Sequence, residues 1–177
     1  MHNYLLITIS GTDRPGIVRD AAAAMTNLDI NIEESSMTAL RGAFTIMMIV
    51  RLPESLAIST IKAALAELEQ RTGVITQSQL LDDEQVMPTT NEPNCIVTVS
   101  GGDRPGIVHA VTEIIAEEQG SIVDLSTSVV ERGGDNLYIM ALEIQIADIA
   151  TLQDRLQQVG KPLQIDIDIM EMEESIA

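Results

Sequence analysis

The sequence predicts an α+β protein built from two βαββαβ units, each a four-stranded antiparallel sheet with two helices on one face. Three observations carry this reading. The segment Ser10-Gly11-Thr12-Asp13-Arg14-Pro15-Gly16-Ile17-Val18 recurs as Ser100-Gly101-Gly102-Asp103-Arg104-Pro105-Gly106-Ile107-Val108 at an offset of 90 residues, with eight of nine positions identical. After each copy the apolar residues switch between period two and helical spacing in the same order. Between the copies, Asp82 to Pro93 is polar, carries two prolines and shows no apolar period, which is the composition of a linker. The expected division is a first domain over 1–84, a linker over 85–93 and a second domain over 94–177, with the boundary near residue 88.

Tyr4 to Ser10 is an apolar run with Thr, a buried strand. From Pro15 to Leu28, the residues Ile17, Val18, Ala21, Ala22, Met25 and Leu28 recur at helical spacing and predict a helix. Asn31 to Leu40 and Ala43 to Leu52 read as strands either side of an Arg41-Gly42 hairpin turn. In the latter strand Phe44, Ile46, Met48, Val50 and Leu52 share one face. Ser55 to Gln70 is a helix with Leu56, Ile61, Ala64, Leu65 and Leu68 inward, and Val74 to Leu81 is the last strand.

The second copy repeats the order: strand 94–100, helix 105–119, strands 121–131 and 136–146, helix 148–159, strand 162–172. Asn31 to Ser36 aligns with Ser121 to Ser126; the second copy then gains four residues around Gly133-Gly134, so that Phe44 corresponds to Tyr138. This order is the split-βαβ, ferredoxin-like arrangement. The outer sheet face is also apolar, with Met47 and Ile49 in one copy and Leu137, Ile139 and Ala141 in the other. Such a face is normally covered, so the other repeat or a second chain is expected to cover it. A homo-oligomer is expected on the same ground.

Composition narrows the function. The chain is 45% apolar but has two Tyr, one Phe and no Trp, so its core is aliphatic and offers no stacking platform for bases. Ten Lys and Arg stand against 27 Asp and Glu, a formal net charge of −17. Phosphate backbones are bound by cations that displace counterions, so direct nucleic-acid binding is not expected. The acidity serves solubility or attraction to a basic partner. The lone Cys95 sits in an apolar run and reads as a small core residue. The start, Met1-His2-Asn3-Tyr4, lacks the basic stretch of a secretory signal, and no apolar run approaches the ~20 residues of a membrane helix. A soluble, cytoplasmic protein without membrane partners is expected.

The duplicated loop joins the first strand of each unit to its first helix. Gly11 and Gly101 ease the turn. Asp13 and Asp103 suit a helix N-cap, and Pro15 and Pro105 a first turn. Two readings stand side by side. In one, the loop is a well-made helix start and nothing more. In the other, the N–H groups at the helix N-terminus attract a carboxylate while the Asp attracts an ammonium, and together they complement a zwitterion such as a free amino acid.

Strand, then Asp-Arg-Pro-Gly-Ile-Val, then helix, then Asn31-Ile32 opening the next strand, resembles the ACT domain. Two copies in one chain are similar to the layout of the glycine cleavage transcriptional repressors and their relatives. The resemblance implies an amino-acid-sensing regulator whose ligand binds the loop before the first helix and the start of the second strand, usually where two domains meet. Residue by residue it implies ligand-binding roles for Asp13, Gly16 and Asn31, and for Asp103, Gly106 and Ser121. Asn31 offers an acceptor and a donor on a planar amide whereas Ser121 offers a short hydroxyl, so the second site is expected to be weaker, different or vestigial. Glycine or serine is favoured by the resemblance only. The family carries no DNA-binding segment here, so a regulator of transcription would act through a protein partner such as a transcription factor.

Other residues add little. His2 and His109 stand alone, and no set of His, Cys and carboxylates has metal-site spacing. His109 aligns with Arg19 and reads as an exposed helix position, and Glu171 to Glu174 as a solvated acidic end. The nine Met read as core filling, or in part as an adaptable partner surface. No nucleophile turn or phosphate loop occurs, and no acid, base and nucleophile set appears in either copy, so no catalytic residues, metal or cofactor are expected. The leading function is a sensor that controls a transcription factor. The alternative is a detached regulatory subunit of an amino-acid metabolic enzyme.

Overall fold

The computed structural model describes residues 4–53, 55–82, 85–86, 92–132 and 135–172. The chain divides into two compact units, 1–88 and 89–177. In the first, β1 (Tyr4–Thr12), α1 (Ile17–Thr26), β2 (Asn31–Leu40), β3 (Ala43–Arg51), α2 (Ile58–Thr72) and β4 (Ile75–Leu81) follow one another. The second repeats them as β5 (Cys95–Gly102), α3 (Ile107–Glu117), β6 (Ser121–Arg132), β7 (Asp135–Gln145), α4 (Ile149–Leu163) and β8 (Ile165–Glu171). The strand orders are β2-β3-β1-β4 and β6-β7-β5-β8, with antiparallel neighbours throughout. Each unit is a ferredoxin-like βαββαβ fold.

Period two builds the cores. Leu5, Ile7 and Ile9 of β1 and Phe44, Ile46, Met48 and Val50 of β3 turn to one side and are buried, joined by Ile17, Ala21 and Met25 of α1 and Ile61, Leu65 and Leu68 of α2. In the second unit Cys95, Val97 and Val99 meet Met140, Leu142 and Ile144, with Ile107, Val111 and Ile115 of α3 and Leu152 and Leu156 of α4 above them. Phe44 lies opposite Gly11 and Tyr138 opposite Gly101, as the four-residue gain in the second copy requires. Cys95 is fully buried, and burial, helped by the charge of Glu171, pushes its thiol pKa up. His109 is exposed. On the outer faces Met47 is half exposed, while Ile49, Leu137, Ile139 and Ala141 are half-buried.

Several expectations need correction. Of the apolar residues at helical spacing in the first helix, Ile17, Ala21 and Met25 take the buried stripe, while Val18 falls outside it at 100° per residue and is exposed. The helices begin two or three residues later than expected, at Ile17, Ile58 and Ile107. The fourth helix runs on through Pro162 to Leu163, and the last strand starts only at Ile165. A proline ring conflicts with the carbonyl four residues back. Here that conflict falls in the last turn, just before the chain leaves the helix at Gln164 with a left-handed φ of 55°. The expected boundary at residue 88, His2, Gly133-Gly134 and Glu173 to Glu174 lie outside the described residues.

Candidate functional site

The duplicated loop is held at both ends. At its start the Asp13 amide donates to the Gly42 carbonyl at 2.8 Å, fastening the end of β1 to the β2–β3 hairpin. At its finish Gly16 takes a φ of 87° and Gly106 a φ of 95°, left-handed conformations that a side chain disfavours. Gly16 and Gly106 are the residues immediately before the helices, and neither α1 nor α3 has a side-chain cap. The expected capping by Asp13 and Asp103 is therefore overturned: the glycine turn moves the helix start beyond their reach. Both carboxylates are exposed instead.

The motif arginines are held differently. Arg14 folds onto Asp20 of α1, Nη2 to Oδ2 at 2.7 Å, while Arg19 grips the other oxygen of Asp20 through Nε at 3.1 Å and Nη2 at 2.8 Å. Hydrogen bonds from Arg14 and then Arg19 hold the Asp20 carboxyl below its ordinary pKa. In the second unit Arg104 instead donates to Gln164 Oε1 at 2.7 Å, and Ala110 stands where Asp20 would be. Tyr138 lies near this loop; burial, and secondarily the charge of Asp103, raise its phenol pKa.

Asn31 and Ser121 lie elsewhere. Asn31 pairs with Arg51, which also lies opposite Tyr4 at the start of β1, while Thr12, next to the loop, pairs with Ala43. Eight residues at ~3.3 Å rise put these two ends of the sheet roughly 26 Å apart. Ser121 opposite Gln145 and Gly102 opposite Leu137 repeat the separation. Within one unit, then, Asp13 and Gly16 are brought together but Asn31 is not, and likewise Asp103 and Gly106 without Ser121. A hollow of about 380 Å³ lined by Leu6, Thr8, Gln77, Ser78 and Gln79 includes none of the six.

Residues that sequence reasoning missed surround Asn31. The β2–β3 register slips between Ile32 and Glu34, leaving Glu33 as a bulge residue. Arg51 Nε donates to Glu33 Oε1 at 2.7 Å, its Nη2 reaches the same oxygen, and Asn31 Nδ2 adds a bond at 3.1 Å. Arg51, then Asn31, hold Glu33 below its usual pKa. The same slip recurs between Ile122 and Asp124, but with Val123 on the bulge. Among the described residues no cluster of three or more His, Cys, Asp or Glu is placed to hold a metal ion, and no helix is long and apolar enough to cross a membrane.

Comparison with known proteins agrees with the geometry. The pattern of the ACT domain matches residues 3–79 and again 96–161. A UPF0237 protein of Methanocaldococcus jannaschii is 33% identical over 76 residues, 41% of this chain and 80% of that one. A UPF0237 protein of Lactococcus lactis is 38% identical over 69 residues, 39% and 78% of the two chains. Among solved structures, an unknown protein from Galdieria sulphuraria superposes with a TM-score of 0.78 at 26% identity, covering 98% of this chain and 100% of that one. A candidate glycine cleavage system transcriptional repressor superposes equally well, with a TM-score of 0.78 at 22% identity, covering 98% and 99%; this second likeness is one of fold.

Proposed function

Because the chain belongs to the ACT-domain family, with two such domains in tandem, we propose that it is a cytoplasmic amino-acid-sensing regulator, without catalysis of its own, that acts through a protein partner such as a transcription factor. The observation that carries this is the exposed carboxylate of Asp13 beside the glycine turn that opens α1. A free amino acid brings opposite charges on adjacent atoms. Its carboxylate suits the N–H groups around Gly16, and its ammonium suits Asp13. Asn31 stands too far away to serve the loop of its own unit, so the remaining hydrogen bonds come from the Asn31 of a second molecule of the chain. Asp103, Gly106 and Ser121 form the corresponding, chemically poorer set. Glycine is the first ligand to try, since a candidate glycine cleavage system repressor shares this fold, and serine, the next smallest polar amino acid, is the second.

A net charge of −17 argues for a protein intermediary over DNA. In a mobility-shift assay near physiological salt the purified chain should give no sequence-specific shift; a specific shift by the protein alone would refute that part of the reading. Calorimetry with a panel of amino acids tests the rest. Saturable binding of a small amino acid is the expected result, and no binding at millimolar concentration overturns it. A pull-down then separates the two kinds of client: a transcription factor supports the reading, while a metabolic enzyme would make the chain that enzyme's detached regulatory subunit.

A further inference from the structure

The bulge in β2 places one carboxylate between an arginine and the amide of Asn31. We propose that Glu33 and Arg51 are positioning residues that lock the Asn31 amide with its oxygen outward, so that the site favours a ligand ammonium over a hydroxyl. This rests on the assignment of Asn31 to the amino-acid site.

The argument begins with donors and acceptors. An ionised carboxylate only accepts hydrogen bonds, so the group of Asn31 that meets Glu33 Oε1 at 3.1 Å must be the amide nitrogen. The planar amide then carries Oδ1 away from Glu33, at an exposed residue. Arg51 fixes the carboxylate in turn, through Nε at 2.7 Å and through Nη2. The hydrogen bonds from Arg51, and then from Asn31, also hold the Glu33 carboxyl below its ordinary value, so the acceptor persists through the neutral range. The backbone supports the arrangement. Arg51 lies directly opposite Asn31 in the β2–β3 register, and the slip after Ile32 leaves Glu33 out of that register, where its carboxylate receives bonds from both.

An outward oxygen is an acceptor. A ligand ammonium has only donors and suits it fully. A hydroxyl both donates and accepts, and so adapts to either orientation of the amide. The second unit has no such device: Ser121, Val123 and Gln145 occupy the three positions.

The test compares glycine with glycolate, and L-serine with glycerate, by calorimetry on the full chain. Wild type should prefer the amino acid in each pair. Glu33→Leu frees the amide to rotate and should reduce that preference by about tenfold, the loss of one oriented charge-assisted bond. Glu33→Gln keeps a carbonyl acceptor and should retain most of it, and Arg51→Met should fall between. Circular dichroism confirms that each variant is folded. An unchanged amine-to-hydroxyl ratio in folded Glu33→Leu overturns the proposal even if Asp13→Asn weakens binding as the sensing reading requires. If wild type binds neither member of a pair, the sensing reading itself fails and this inference with it.

Discussion

The two units share a loop but not the means of holding it. In the first, Arg14 and Arg19 converge on Asp20 one turn into α1, so the loop's cation is matched by a carboxylate on its own helix. In the second, Arg104 reaches the neutral Gln164 at the far end of α4, with Ala110 replacing Asp20. The strand starts diverge in parallel: Asn31, Glu33 and Arg51 form a bonded set, whereas Ser121, Val123 and Gln145 offer one hydroxyl, one apolar side chain and one amide. Eight identical residues in nine build the same backbone twice, and the chemical difference comes from residues outside the motif. On the proposed reading, the first unit is the better furnished of the two for a small amino acid.

The sharpest way to break this contrast is to neutralise each loop carboxylate. Asp13→Asn removes the charge proposed to pair with a ligand ammonium and should weaken amino-acid binding by about ten- to hundredfold. Because Asp13 does not cap α1, the melting temperature should stay the same. Asp103→Asn should change the affinity little. Calorimetry on both variants measures the asymmetry; equal losses would make the two sites equivalent.

The glycines that precede the loops separate the units in packing. A Cβ on Gly101 would lie 2.8 Å from Ile165 Cγ2 and 3.1 Å from both the Gln164 carbonyl and Ile165 Cα. On Gly11 it would meet Val74 Cα and Cγ1 at 3.4 Å and Phe44 Cε1 at 3.5 Å, ordinary contacts. Gly101→Ala should destabilise the second unit by about 1–3 kcal/mol, the usual cost of overpacking. Gly11→Ala should be close to neutral. Urea unfolding followed by hydrogen exchange in each unit distinguishes them.

A smaller contrast lies at the second helix of each unit. Asp148 caps α4, accepting from the Thr151 amide at 3.0 Å, while α2 begins after Ala57 with no side-chain cap. Asp148→Ala should lower the melting temperature of the second unit by a few degrees, and Ala57→Ser should raise that of the first by a similar or smaller amount. Differential scanning calorimetry checks both.

How much of this could be read in the sequence follows from the range of each interaction. The period-two run from Phe44 to Leu52 and the exact offset of the loops are local signals, and they specify strands, helices and their order. The helix cap is ambiguous in sequence because Asp-Arg-Pro-Gly contains both a capping residue and a left-handed glycine, and only the backbone decides which one ends the turn. Val18 shows that a helical window of apolar residues is wider than the stripe a sheet can bury. The hold on Asn31 was illegible for a different reason. Glu33 and Arg51 meet across two strands, through a bulge that exists only once the β2–β3 register is set. The same is true of Arg104 and Gln164, which come from opposite ends of the second unit.

The last and smallest effect concerns acid. The Asp20 pKa lies below 3.8 in the folded protein because Arg14 and Arg19 stabilise its charged form. A depressed carboxyl contributes stability that is complete above its unfolded pKa and is lost as pH falls through the folded value. The loop and α1 of the first unit should therefore loosen below about pH 4. The α3 start has no equivalent carboxylate, since Ala110 replaces it. Asp20 is half-buried but both arginines reach solvent, so the effect is modest and weakens with added salt. Glu33 and Asp148 have lowered pKa values as well, so global unfolding in acid would mix three contributions. Local exchange avoids this. Protection of the α1 amides, corrected for the intrinsic rate at each pH, should drop between pH 5 and 3 in wild type but not in Asp20→Ala, whose α1 should then behave like α3. Equal acid sensitivity of α1 in wild type and Asp20→Ala would show that the two arginines hold the loop without help from that carboxylate, and the contrast between the two units would rest on Asn31 and its neighbours alone.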